Sequence, residues 1–275
     1  MAEEGRVEVA FRSLDGLLLK GTLLAPQRGS ATAVVMVHGG GVTREEGGFF
    51  ARIAEGLAAA GVASLRFDFR AHGTSEGRQE ELTLAGVVND VRAAADEVQR
   101  ATGAGPVGVV GASFGGGLAA LFAARYPDRV RSLVLINPLL NYKKRFVDNK
   151  PYWSGDQIDV EAGRELAERG FVAHSPSFKL GRGLLNEVFY LRPEEEIATV
   201  VASTLFLHGT RDTFIPVESS REYVQRVRGE ARLIEFDGAQ HGLAVHDDPQ
   251  YLDQQTQAWQ AQAVDDITDW VVTHQ

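Results

Sequence analysis

Ser113 stands in Gly111-Ala112-Ser113-Phe114-Gly115, directly behind an apolar run at residues 107–110 and ahead of an alanine-rich stretch at 117–125. A serine hydroxyl is a weak nucleophile unless a base takes its proton and its oxygen projects clear of its neighbours. A buried strand turning sharply into a helix gives that projection, and the turn leaves room only for small residues on either side of the serine. The base must come from His38, His72, His174, His208, His241, His246 or His274. His241 lies in Phe236-Asp237-Gly238-Ala239-Gln240-His241-Gly242, a loop before the last predicted helix, from which an imidazole reaches over a sheet. Asp212, in the loop that follows Leu207-His208-Gly209, completes the chain order Ser, Asp, His. An acid in that place fixes the imidazole tautomer and stabilises the imidazolium. Asp237 is a rival, nearer to His241 in sequence, but sequence distance does not measure distance across a sheet. Developing charge on the attacked carbonyl needs backbone donors. Phe114 N–H is one, and His38-Gly39-Gly40-Gly41 offers the other, with Gly40 the first choice and Gly41 the second.

Simpler readings compete with each of these. A five-residue pattern arises by chance in a chain with 30 glycines, and its strand-to-helix setting is what raises it above chance. No Gly-Lys-Ser/Thr follows the loop, so it is not a phosphate cradle. Gly103-Ala104-Gly105-Pro106-Val107-Gly108 has the letters of a dinucleotide fingerprint but precedes a strand instead of following one. His38 and His208 each end a predicted strand and read as imidazoles that tie down loop backbone. His246 with Asp247 and Asp248 lacks metal-ligand spacing, so no metal is expected.

The elements that position these residues follow from the apolar pattern. Val7, Val9 and Phe11 alternate with polar neighbours as in a half-exposed strand, and Asp15-Gly16 turns the chain into a second strand over 17–24. Continuous apolar strands at 34–37, 62–67, 107–110 and 130–136 then alternate with helices at 50–60, 84–100 and 117–125. The beat stops at 137–200 and resumes with strands at 204–207 and 233–236, a helix at 217–227 and a last helix near 252–272. This is an α/β class chain: a mostly parallel central sheet with helices on both faces and an antiparallel edge. Residues 137–200 are too long for a connection and read as a cap inserted after the sixth strand, with 1–136 and 201–275 forming the core.

A chain of 275 residues suits one large domain, and the net charge of -9 argues against nucleic acid and anionic membranes as partners. There is no cysteine, which removes disulfides and thiolate chemistry. The amino terminus lacks a signal pattern, and no apolar run approaches the ~20 residues of a membrane span, so a cytoplasmic location is expected.

The combination of His38-Gly39-Gly40-Gly41, Phe67-Asp68-Phe69-Arg70-Ala71-His72-Gly73, Gly111 to Gly115, His208-Gly209-Thr210-Arg211-Asp212 and Gly238 to His241 resembles the α/β-hydrolase superfamily. Within it the chain is most similar to small bacterial cinnamoyl and feruloyl esterases, grouped with serine aminopeptidase-like hydrolases. The resemblance implies a Ser113–His241–Asp212 triad, no cofactor, and cleavage of small-molecule carboxylic esters through an acyl-enzyme. Thioesterase, acyltransferase or peptidase activity would use the same triad, and a ligand-binding protein with a vestigial triad is the reading from another class. The cap is rich in aromatics, and Tyr142, Tyr152, Trp153 and Phe189, with Phe146, Phe171, Phe178 and Tyr190, are the candidates to wall a substrate pocket or to form the cap's own core. The basic run Lys143-Lys144-Arg145 reads as a solvated face, with an anionic substrate as its alternative partner. Sequence does not fix the assembly; a homodimer is compatible with it.

Overall fold

In a computed structural model, residues 5–26 and 29–275 are described. Strands β1 (Arg6–Arg12) and β2 (Leu18–Leu24) form the expected hairpin, followed by β3 (Ala33–Val37), α1 (Phe49–Ala59), β4 (Ala63–Asp68), α2 (Leu84–Thr102), β5 (Val107–Ala112), α3 (Phe114–Arg125) and β6 (Val130–Ile136). Residues 137–200 carry β7 (Trp153–Ser154), β8 (Gln157–Ile158), α4 (Val160–Arg169), β9 (Phe171–Ser175), β10 (Phe178–Gly181), α5 (Arg182–Glu187) and α6 (Pro193–Glu196). The chain closes with β11 (Ser203–Gly209), α7 (Val217–Val224), β12 (Ala231–Phe236) and α8 (Gln254–Thr273).

Eight strands form one sheet in the order β1-β2-β4-β3-β5-β6-β11-β12. The β1–β2 and β2–β4 pairs are antiparallel, and every other neighbouring pair is parallel. The central strands are buried on both faces, which is why they read as unbroken apolar runs. Val35, Val37 and Val109 join an apolar cluster with Val87 and Val91 of α2 and Leu118 and Phe122 of α3. Their alternates Val34, Met36 and Val110 join a second cluster with Phe50 and Ile53 of α1 and Ile267 and Trp270 of α8. The two-residue period of a strand thus feeds two cores, one per face.

Two expectations need correction. Helix α3 begins at Phe114, three residues before the predicted 117–125, so Gly115, Gly116 and Gly117 fill its first turn. Glycine is a poor helix former, but tertiary packing overrides propensity here. A Cβ at Gly115 would run into the carbonyl oxygens of Val37 and His38, and one at Gly116 would sit 2.8 Å from Pro138 Cβ. The second concerns residues 137–200, whose aromatics do not build a small core of their own. Phe146, Leu166, Leu180 and Leu184 belong to the same cluster as α2 and α3.

Candidate active site

Ser113 sits between the end of β5 and the start of α3 with φ 50° and ψ −119°, a conformation that costs an L-residue free energy and turns the side chain out of the sheet. Its N–H donates to Ile136 O at 2.9 Å, and its own carbonyl accepts from Leu139 N–H at 2.9 Å. The end of β6 and the loop that follows it therefore hold the turn. A Cβ at Gly111 would come within 2.7 Å of Gly115 O, so the small flanking residues are sterically required.

The Ser113 hydroxyl donates to His241 Nε2 at 3.0 Å, and His241 Nδ1–H donates to Asp212 Oδ2 at 2.7 Å. These bonds place the imidazole proton on Nδ1, leaving Nε2 free to accept. Asp212 has a wholly buried side chain, with Oδ2 also accepting from Asn137 Nδ2 at 2.8 Å. Its Oδ1 accepts from Phe214 N–H at 2.8 Å and Ile215 N–H at 2.9 Å. Burial alone would push this carboxyl up, but His208, whose Nε2 lies 3.4 Å from Oδ2, and the bond from His241 outweigh it and hold Asp212 well below the usual carboxylate range. The rival Asp237 lies elsewhere, accepting from the Thr210 hydroxyl at 3.1 Å.

Asn137 carries no sequence motif, yet it is buried, has φ 42°, and anchors both the Asp212 carboxylate and, through its N–H, Leu207 O at 2.8 Å. An asparagine before proline at the end of a central strand was the available signal. His208 locks the same loop: its Nε2 donates to Ile215 O at 2.9 Å, and its Nδ1 accepts from the Ser220 hydroxyl at 2.7 Å.

The loop after β3 presents its amides selectively. Gly39 N–H donates to Glu46 Oε2 at 2.7 Å, and Gly41 N–H donates to His72 Nε2 at 3.0 Å. Between them, Gly40 N–H has no acceptor among the described residues, and neither does Phe114 N–H at the start of α3. Gly41, the second choice for an oxyanion donor, is thereby corrected: its amide is already committed. Glu46 has φ 45°, lines the cleft, and has its carboxyl pushed up by burial. Gly40 has no space for a side chain because the Phe178 ring lies over it, 2.9 Å from where a Cβ would be.

His38 and His72 support this loop as neutral rings. His38 stacks on Phe69 at 3.9 Å, donates from Nδ1 to Gly39 O at 2.8 Å and accepts at Nε2 from Phe69 N–H at 3.3 Å. Burial, reinforced by His72, pulls the His38 imidazole down to about 3. An unfolded chain takes up this proton near its ordinary value of about 6.5, whereas the folded one does not, so stability is full above that pH and falls as pH drops below it. At about 1.4 kcal/mol per pH unit, His38 alone removes about 2 kcal/mol between pH 6.5 and pH 5. Urea unfolding at pH 7 and pH 5 should show a loss of this order; equal stabilities would contradict it.

The cleft over Ser113 encloses about 230 Å³. Its apolar wall is Phe114, Leu139, Phe146, Phe178 and Phe214, with Arg145, His174, Glu46 and Tyr251 supplying polar groups. The expected contacts Tyr142, Tyr152, Trp153 and Phe189 are not on this wall. Tyr142 is wholly buried, with its hydroxyl donating to Phe114 O at 2.6 Å and its ring filling the space left by Gly117. Tyr152, Trp153 and Phe189 pack from outside against the cluster around α2 and α3, with the Trp153 and Phe189 rings 6.1 Å apart. Apolar burial claimed these aromatics, so only Phe146 and Phe178 of the original set face the cleft.

An eight-stranded, mostly parallel sheet with a serine at the turn between a central strand and its helix defines the α/β-hydrolase fold. The sequence pattern of the serine aminopeptidase S33 family matches residues 29–249, and the chain belongs to that family. It is 27% identical to a monoacylglycerol lipase of Mycolicibacterium smegmatis across the full length of both chains. It is 28% identical to human mitochondrial palmitoyl-protein thioesterase ABHD10 over 61% of this chain and 53% of that one. Among solved structures, ferulic acid-bound Est1E from Butyrivibrio proteoclasticus superposes with a TM-score of 0.74 at 22% identity, covering 94% of this chain and 99% of Est1E. Among the described residues no helix is long and apolar enough to cross a membrane.

Proposed function

We propose that this protein is a carboxylic ester hydrolase that works through an acyl-enzyme on Ser113. The observation that carries the reading is the unbroken hydrogen-bond chain from the Ser113 hydroxyl through His241 to Asp212. As Ser113 Oγ bonds to the ester carbonyl carbon, its proton passes to His241 Nε2 and the carbonyl π electrons move onto oxygen. Gly40 and Phe114 N–H groups receive that oxyanion. Collapse breaks the C–O bond to the alcohol, which leaves with the proton from His241. Water then repeats the sequence, releases the acid and restores the serine. Asp212 stays ionised throughout, because its four donors favour the charged form. Residues 137–200 act as the cap that walls the cleft. The lipase, thioesterase and esterase relatives support ester cleavage.

A fluorophosphonate probe followed by peptide mass mapping tests the mechanism, with the adduct expected on Ser113. In parallel, matched acyl esters, acyl thioesters and aminoacyl amides should be hydrolysed in that order of kcat/KM. An aminoacyl amide turned over fastest would move the assignment to a peptidase.

Glu46 is a positioning residue in this scheme, since it holds the amide next to the proposed oxyanion donor. Glu46→Ala should lower kcat about tenfold with little change in KM, a fraction of the ~10²–10³ lost when a donor itself is removed. Glu46→Gln keeps an acceptor oxygen and should stay within about threefold of the parent. Equal losses in both variants would remove this role.

A further inference from the structure

We infer that the cleft is built for an ester bearing a second group that is a carboxylate, held by Arg145. The inference rests on the ester-hydrolase reading and adds a substrate class to it. Of the basic run Lys143-Lys144-Arg145, Lys143 is neutralised by Asp148 at 2.7 Å and Asp156 at 2.8 Å, while Arg145 lines both the cleft and the adjoining pocket on the other side of Phe214, which also carries Glu218 and Glu222. In a chain with 37 acidic and 28 basic residues, Arg145 has no carboxylate partner among the described residues. Its guanidinium lies 5.9 Å over the Phe214 ring and makes one long bond, 3.4 Å, to Phe214 O. Lys150 also lacks an ion-pair partner among the described residues, and its ammonium is pushed down by burial and by Arg145. Two neighbouring cations that repel each other and have no counter-charge within ion-pair distance among the described residues are an unmet electrostatic demand, which a bound anion satisfies.

His174 reports the same field from within the cleft. Its ring meets Phe146 edge-on at 5.1 Å and 85°, and its buried Nδ1 has no hydrogen-bond partner among the described residues. Burial, then Lys150 and Arg145, pull its imidazole down to about 4. An anion beside Arg145 would cancel part of that field.

Contacts order the cleft from end to end. Glu46 bonds Gly39, whose α-carbon flanks Ser113; Ser113 bonds His241; His241 lies 5.3 Å from Phe214; and Phe214 underlies Arg145. Glu46 thus adjoins Ser113 by way of Gly39, and Arg145 adjoins His241 by way of Phe214.

The test compares kcat/KM for two matched pairs. 4-Nitrophenyl hydrogen glutarate against 4-nitrophenyl pentanoate places the carboxylate on the acid part. 4-Butyryloxybenzoate against 4-butyryloxybenzamide places it on the alcohol part. At least a tenfold preference for the anion is expected in one pair, which identifies the side, and 0.5 M salt should shrink it. Arg145→Met should bring the ratio to about one, with Lys150→Met lowering it partway. No preference in either pair, or a ratio unchanged in Arg145→Met, overturns the inference while leaving ester hydrolysis standing. If no ester is turned over, the ester-hydrolase reading fails. The anion site is then judged by calorimetry with monomethyl glutarate on Ser113→Ala: saturable binding lost in Ser113→Ala/Arg145→Met supports it, and no heat overturns it. The same ligand should move the His174 imidazole titration upward in NMR.

Discussion

Ser113→Ala should reduce kcat on its best ester about 10⁶-fold, the scale on which removing a serine nucleophile disables comparable sites. The remaining rate should still exceed that in water by about 10³–10⁴, because Gly40 and Phe114 N–H groups and the cleft wall persist. The loss should appear with the fold unaltered, since among the described residues the oxygen bonds only to His241, and the turn is held by backbone bonds to Ile136 and Leu139. A melting temperature within a few degrees of the parent, with no phosphonate adduct, completes the expected result. Full turnover in this variant would place the nucleophile elsewhere.

Asp212→Asn should cost about 10⁴-fold in kcat, and the neighbours of Asp212 explain why. Among the described residues, the four groups that hydrogen-bond its carboxylate are all donors: His241 Nδ1–H, Asn137 Nδ2, and the amides of Phe214 and Ile215. An asparagine amide brings two N–H groups into a ring of donors, and only His241 can adjust, by moving its proton to Nε2. In that tautomer His241 donates toward Ser113 and no longer accepts from it, so the base is absent at neutral pH. Steady-state kinetics and the rate of phosphonate labelling should fall together. A loss below tenfold would mean that the Asp212–His241 bond does not set the tautomer.

The parts of the fold legible in sequence were those fixed by burial on both faces of a strand. Val34 to Val37 and Val107 to Val110 could be read as parallel strands because each successive side chain enters one of two cores. Ser113, Asp212 and His241 could be proposed because each occupies a loop at a strand end, in an order the chemistry requires. Their supporting residues were not legible. Glu46 and His72 hold the Gly39–Gly41 loop from 7 and 31 residues away, and nothing in their local sequence announces it. The aromatic wall failed for a related reason: composition supplied eight candidates, but packing against Gly117 and α3 decided that Tyr142 points inward while Phe146 and Phe178 face the cleft. Likewise, three consecutive basic residues look alike until two acidic neighbours claim the first of them.

Phe146, Leu166, Leu180 and Leu184 share a single apolar mass with the helices beneath them. Lifting residues 137–200 as a rigid hatch would tear that mass open and wet dozens of carbon atoms at each turnover. Traffic to Ser113 passes instead through the open side of the cleft, where the exposed Phe214 ring lies beside Arg145. The residues that line the cleft from 137–200 can thus be exchanged by point substitutions during evolution while the machinery beneath keeps its register.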